Sequence, residues 1–160
     1  MASLRMLALA FLGATLLGPA QPALASCTTE AAASALLDRY VAAVNARDTG
    51  SFGDFHAENY IQHSGRSPNG LAAQVENFRT IFARMPDVEA RVEDRIIQCD
   101  KIVARMTFSA THTQPMQGIA PTGRRFTLRT IDIWRVENGK LAEHWDVVDY
   151  AGMLKQLRGE

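Results

Sequence analysis

From Val88 to Val148, apolar and polar residues alternate with a period of two, the pattern of half-buried strands. Val88, Ala90, Val92 and Ile96 fall on one parity and Glu89, Arg91, Glu93 and Arg95 on the other, with Asp94 interrupting the apolar set. Ile102, Ala104, Met106, Phe108, Ala110 and His112 share the next face. Two further strands flank Asn138-Gly139, residues suited to the positive φ angles of a type I′ hairpin turn. Upstream of Val88 the spacing is helical. Leu36, Leu37, Tyr40, Val41 and Val44 recur at steps of three and four within residues 31–46, behind Thr28 or Thr29 as a cap. Leu71 to Arg84 repeats that spacing until Pro86 blocks continuation. Residues 51–56 read as a short helix with His56 toward solvent, residues 59–63 as a short strand, and 151–157 as a closing helix. Helices gathered before a strongly patterned sheet predict an α+β domain, a curved antiparallel sheet folded over helices into a cone. Its open end would take a small ligand.

Residues 1–25 read as a secretory signal rather than as part of that domain. Arg5 opens it, an apolar run follows from Met6 to Gly18, and Ala23-Leu-Ala25 offers a cleavage site before Ser26. The run is short of the roughly 20 residues a membrane span needs. Residues 26–160 then form one domain, and the protein is expected to be periplasmic or secreted. Leu24-Ala-Ser-Cys27 also resembles a bacterial lipobox, which would instead anchor Cys27 through lipid. The only other cysteine is Cys99, and in an oxidising compartment a Cys27–Cys99 disulfide is the economical pairing. Lys and Arg number 17 against 17 Asp and Glu, without basic clusters. Nothing in that balance points to nucleic acid or an anionic membrane as a partner.

The hairpin carries the candidate chemistry. A two-residue turn sets Val136 opposite Leu141, Trp134 opposite Glu143 and Asp132 opposite Trp145, on one face with Val147. Acids among large apolar groups are costly unless paired or neutralised, so that face suggests a pocket. The same register puts Asp146 on the other face with Ile131, Ile133 and His144. Asp132 and Asp146 could share a face only through a bulge near Trp145. Either acid could instead be structural, Asp132 as a partner of Arg129 or Arg135, and Glu143 could simply orient Asp132.

His63 and His112 end their strands and would reach the cavity mouth as hydrogen-bond donors or as rim residues. Trp134, Trp145, Tyr60, Phe82 and Phe108 are the expected apolar walls. The loop 114–123 would be either a lid or an ordinary connection. No His-x-His or His-x₃-His pair is present, so no metal site is expected. Ile131, Ile133 and Val148 on the outer face would suit a homodimer or a solvated surface.

Tyr60-Ile-Gln-His63, Thr111-His-Thr, Gly118-Ile-Ala-Pro-Thr-Gly123, Ile131-Asp-Ile-Trp-Arg135 and Gly139-Lys-Leu-Ala-Glu-His-Trp-Asp-Val-Val-Asp149 together resemble the SnoaL-like polyketide cyclase (ester cyclase) family. That family belongs to the nuclear-transport-factor-2-like superfamily of α+β barrels. The resemblance implies a cofactor-free aldol reaction. A carboxylate removes a proton α to a carbonyl, a donor steadies the enolate, and the enolate attacks a second carbonyl of the same substrate. It favours Asp146 as that carboxylate, whereas hairpin parity favours Asp132. It also places Cys99 where similar sequences often carry Gly. Export sits outside polyketide pathways and leaves the substrate class as a small apolar or carbonyl-bearing molecule. Two other readings share this fold: a non-catalytic module of the cell envelope that binds a small molecule or partner, and an acid/base hydrolase or isomerase.

Overall fold

The computed structural model describes residues 27–160; the segment expected to be a secretory signal lies outside the described residues. Helix α1 (Glu30–Ala46) starts where the Thr29 hydroxyl accepts the Ala32 amide at 3.2 Å. It buries Leu36, Leu37, Tyr40 and Val44 of the predicted stripe and Ala43 besides, leaves Val41 half-buried, and ends at Arg47 in a left-handed conformation. A single turn, α2 (Phe52–Phe55), feeds strand β1 (His56–Gln62), and α3 (Leu71–Arg84) follows a loop. Strands β2 (Glu89–Gln98), β3 (Lys101–Thr111), β4 (Arg125–Glu137) and β5 (Lys140–Val148) precede the closing helix α4 (Tyr150–Arg158).

The five strands form one curved sheet in the order β1-β5-β4-β3-β2. The fold is the expected α+β arrangement of helices against a sheet, with one difference: β1 runs parallel to β5, whereas the other pairs are antiparallel. His56 opens that strand and is fully buried rather than facing solvent, ringed by Phe52, Phe55 and Tyr60. Burial disfavours its charged form and lowers its pKa to about 3.

Two bulges decide which side chains point inward. In β2 the pairing jumps from Val92 opposite Met106 to Asp94 opposite Arg105, leaving Glu93 as the extra residue. Beyond it the parity inverts. Ile97 therefore packs against the core, while Ile96, expected inside, is 66% exposed. The second bulge lies in the hairpin. Asn138 and Gly139 adopt the positive φ angles of the turn, and Val136 does pair with Leu141. Arg135 then pairs with Glu143, so Ala142 is the extra residue and everything after it turns over.

The main core lies between α1, α3 and the inner sheet face, around Leu37, Tyr40, Phe78, Ile102 and Trp134. A second cluster joins Val88, Ala110 and Phe126 to Met153 and Leu157 of α4. Cys27 and Cys99 form the disulfide, tying the start of the domain to the β2–β3 turn. Cys99 has φ 53, a left-handed position that Gly occupies without steric cost.

Candidate active site

The Ala142 bulge brings the two acids together. Asp132 and Asp146 are paired residues on β4 and β5, and both line a cavity of about 280 Å³ between the sheet and α3. Tyr40, Tyr60, Phe78, Phe108, Trp134 and Leu128 form much of its wall. Trp134 also stacks on His144, with centroids 4.9 Å apart.

Asp132 is 4% exposed and fully engaged. Its Oδ2 accepts the Thr130 hydroxyl, and its Oδ1 lies 3.0 Å from Nε2 of His144. The other side of that ring faces Gln62, whose Nε2 is 2.9 Å from His144 Nδ1. Gln62 Oε1 in turn accepts the Ser64 amide at 3.2 Å. One proton arrangement satisfies the whole chain: Gln62 donates to Nδ1, and Nε2–H donates to Asp132.

Asp146 is held differently. The Arg66 guanidinium donates to Oδ2, but Oδ1 is buried and has no hydrogen-bond partner. Arg66 comes from the loop after β1, is 42% exposed at its side chain, and lies 6.0 Å from the Tyr150 ring. The Tyr60 hydroxyl is likewise buried and unpartnered. Burial pushes that phenol above its ordinary range, the neighbouring Trp134 indole opposes this, and the Asp132 and Asp146 charges add smaller upward effects, so it stays a donor near neutral pH. Tyr40 is raised for the same leading reason. On α3, Gln74 and Asn77 add polar groups to the cavity lining.

Several expected site residues lie elsewhere. Glu143 and Trp145 are on the outer sheet face, because the bulge precedes both. His63 joins them there, since alternation along β1 points Tyr60 and Gln62 inward and His63 out. His63 stacks on Trp145 at 4.3 Å and bonds Glu143 at 2.8 Å. That bond, and then the Arg135 guanidinium, hold the Glu143 carboxyl below its usual range. Val147 points outward, 74% exposed, and Val148 lines the cavity, the reverse of the expected placement. Phe82 packs between the two core clusters rather than on the cavity.

His112 is buried away from the cavity lining. Its Nδ1 accepts the Thr122 amide at 3.3 Å, which fastens the end of the 114–123 loop. Met116 and Ile119 of that loop pack on the second core cluster, so it is a docked connection and not a lid. The segment that does reach the cavity mouth is Ser64, Arg66 and Ser67.

Sequence reasoning overlooked His144, Thr130, Gln62, Arg66 and Tyr40. The signal for His144 was simple alternation with Asp146, and for Gln62 alternation with Tyr60. Nothing local in the sequence marks Arg66. Asp132, His144 and Asp146 each offer one ligand atom, all within 4.8 Å of one another, a set able to hold a metal ion.

The pattern of the SnoaL-like polyketide cyclase family matches residues 34–157, which span all of the helices and strands except the start of α1 and the end of α4. The chain belongs to the SnoaL-like polyketide cyclase family. Aklanonic acid methyl ester cyclase AcmA of Streptomyces galilaeus is 31% identical over 131 residues, covering 77% of this chain and 88% of that protein. The structure of TsrD from Streptomyces laurentii superposes with a TM-score of 0.75 at 31% identity, covering 81% of this chain and 97% of TsrD. A SnoaL-like polyketide cyclase from Agrobacterium tumefaciens shares the fold at 23% identity, with a TM-score of 0.70 over 78% of this chain and 96% of that one. SnoaL-like proteins bind small substrate molecules, and membership supports chemistry of the cyclase or isomerase type. Among the described residues no helix is long and apolar enough to cross a membrane.

Proposed function

We propose that this SnoaL-like protein acts outside the cytoplasm on a small carbonyl compound held in a largely hydrophobic pocket, with Asp146 as the base. The observation that carries this reading is the buried, unpartnered Oδ1 of Asp146, beside an Asp132 whose two oxygens are already engaged. A carboxylate oxygen without a donor accepts a proton with the least loss of existing bonds. Asp146 Oδ1 removes the proton α to a carbonyl, and the Tyr60 hydroxyl donates to the developing enolate oxygen. The enolate carbon then bonds to a second carbonyl carbon of the same molecule, and the new alkoxide recovers the proton from Asp146. The relatives support the class of reaction: AcmA is an aklanonic acid methyl ester cyclase, and ester and ketone groups supply the acidic α-proton. Export is supported by the residue 1–25 pattern and by the Cys27–Cys99 disulfide, which occupies the sulfur that lipidation would need.

A titration of the mature protein with an enolisable 1,3-dicarbonyl, followed by enolate absorbance, tests this reading. The wild type should develop the absorbance and Asp146→Asn should not. Equal absorbance from both proteins would remove Asp146 as the base.

One observation favours the alternative of a non-catalytic binding module. Both acids have cationic or potentially cationic neighbours, Asp132 in His144 and Asp146 in Arg66, as a purely structural pair of carboxylates would. On that reading the same dicarbonyl binds without enolising.

A further inference from the structure

We propose that Asp132, His144 and Asp146 form a binding site for one divalent transition-metal cation of the zinc and cobalt class. The three come from paired strands, Asp132 opposite Asp146 and His144 opposite Trp134. Their convergence is fixed by what holds the rest of each side chain. Thr130 ties Oδ2 of Asp132, Arg66 ties Oδ2 of Asp146, and Gln62 faces Nδ1 of His144. One ligand atom from each of the three side chains lies within 4.8 Å of the other two, and the atoms left free by those ties are Oδ1 of Asp146, Oδ1 of Asp132 and Nε2 of His144. One edge of that triangle, Asp132 Oδ1 to His144 Nε2, is 3.0 Å. Tetrahedral zinc with bonds of about 2.0–2.1 Å keeps its ligand atoms roughly 3.3 Å apart, so that edge needs only a small opening and the wider ones a closing of the side chains onto the ion. Three protein ligands leave a fourth position toward the cavity.

Two observations separate this from an ordinary ion-paired cluster. Oδ1 of Asp146 is buried with no donor, on a side chain only 6% exposed. The Tyr60 hydroxyl on the same cavity is also buried and unpartnered. Buried polar atoms left without partners are costly, and a cation carrying a water or hydroxyl ligand would satisfy both. Charge agrees as well. Two carboxylates face the site, and a single guanidinium offsets one of them.

Gln62 makes the exchange feasible. Its Nε2 lies 2.9 Å and its Oε1 3.2 Å from His144 Nδ1. The amide can therefore donate to Nδ1 when Nε2 carries the proton, or accept Nδ1–H when Nε2 gives its lone pair to the metal. Such a partner on the far ring nitrogen is the usual companion of a histidine ligand. The cation would occupy the oxygen assigned above to the proton, so metal binding and proton abstraction exclude each other. The inference itself does not rest on that assignment.

The test is binding alone. Chelator-treated mature protein is titrated with cobalt(II) chloride and followed by visible d–d absorption, then displaced with zinc chloride, with melting temperature as a second readout. One equivalent of cobalt should bind. Asp146→Asn should weaken binding by more than about tenfold, and Gln62→Ala by about 10–100-fold, the usual effect of losing a partner behind a ligand. His63→Gln, which alters only the outer face, should bind like wild type. Absence of both the cobalt spectrum and a zinc-dependent rise in melting temperature overturns the proposal. So does binding that survives Asp146→Asn but is lost in His63→Gln, which would place the metal at the outer His63–Glu143 pair. A negative result here leaves the dicarbonyl test of Asp146 untouched.

Discussion

Asp132 and Asp146 stand directly opposite one another on adjacent strands, yet both oxygens of Asp132 have a hydrogen-bond partner while Oδ1 of Asp146 has none. Their replacement should therefore have opposite consequences. Asp132→Asn disturbs the bonds from Thr130 and His144 and should cost about 1–3 kcal/mol in urea unfolding. Asp146→Asn removes an oxygen that already lacks a donor, so its stability should stay within about 1 kcal/mol of wild type while function suffers. A larger stability loss for Asp146→Asn would mark it as the structural acid.

The Tyr60 hydroxyl is buried beside the Trp134 indole with no partner at good hydrogen-bond geometry, and burial keeps it protonated. Tyr60→Phe should leave the melting temperature unchanged or slightly raised, because a buried orphan is removed. Its affinity for an enolisable dicarbonyl should fall by about tenfold, corresponding to one hydrogen bond of roughly 1.4 kcal/mol. Titrating both proteins with the same ligand measures the difference.

His56 gives the domain an acid sensitivity. Its folded pKa of about 3 lies below the ordinary value of 6.5, so the unfolded chain binds the extra proton between those limits. Its contribution to stability is full above about pH 6.5 and is lost as pH falls toward 3. The slope is at most about 1.4 kcal/mol per pH unit. In His56→Leu the melting temperature should vary less with pH across that window than in wild type.

The Cys27–Cys99 disulfide closes a loop of sequence separation 72. On the chain-entropy estimate, reduction or Cys99→Ser should cost about 4 kcal/mol. Non-reducing and reducing melts of the mature protein compare the two states directly.

The helices, the turn at Asn138-Gly139 and the period-two strands were legible because each follows from local periodicity. The site was legible only in its ingredients. Asp132 and Asp146 stood out as acids on apolar strands, but their common face depends on Ala142, a single small residue that no turn signal marks. Reading the hairpin without that bulge put Glu143 and Trp145 inside and left His144 out. Glu93 has the same effect on Ile96 and Ile97 in β2. Arg66 was invisible for another reason. It approaches Asp146 from a loop 80 residues away in the chain, where no periodicity operates. The metal-capable trio escaped for a related cause, since its ligands are neighbours across strands rather than at short spacing.

The central claim is that Asp146 takes a proton from carbon. Exchange of the α-proton of a β-keto ester in deuterated buffer, followed by NMR with catalytic amounts of the mature protein, reads that step without requiring the natural substrate. Wild type should accelerate exchange over buffer, Asp146→Asn should fall by at least about a hundredfold, the usual scale for losing a general base, and Asp132→Asn should retain measurable exchange. Exchange at the buffer rate with wild type, or undiminished in Asp146→Asn, would contradict the account.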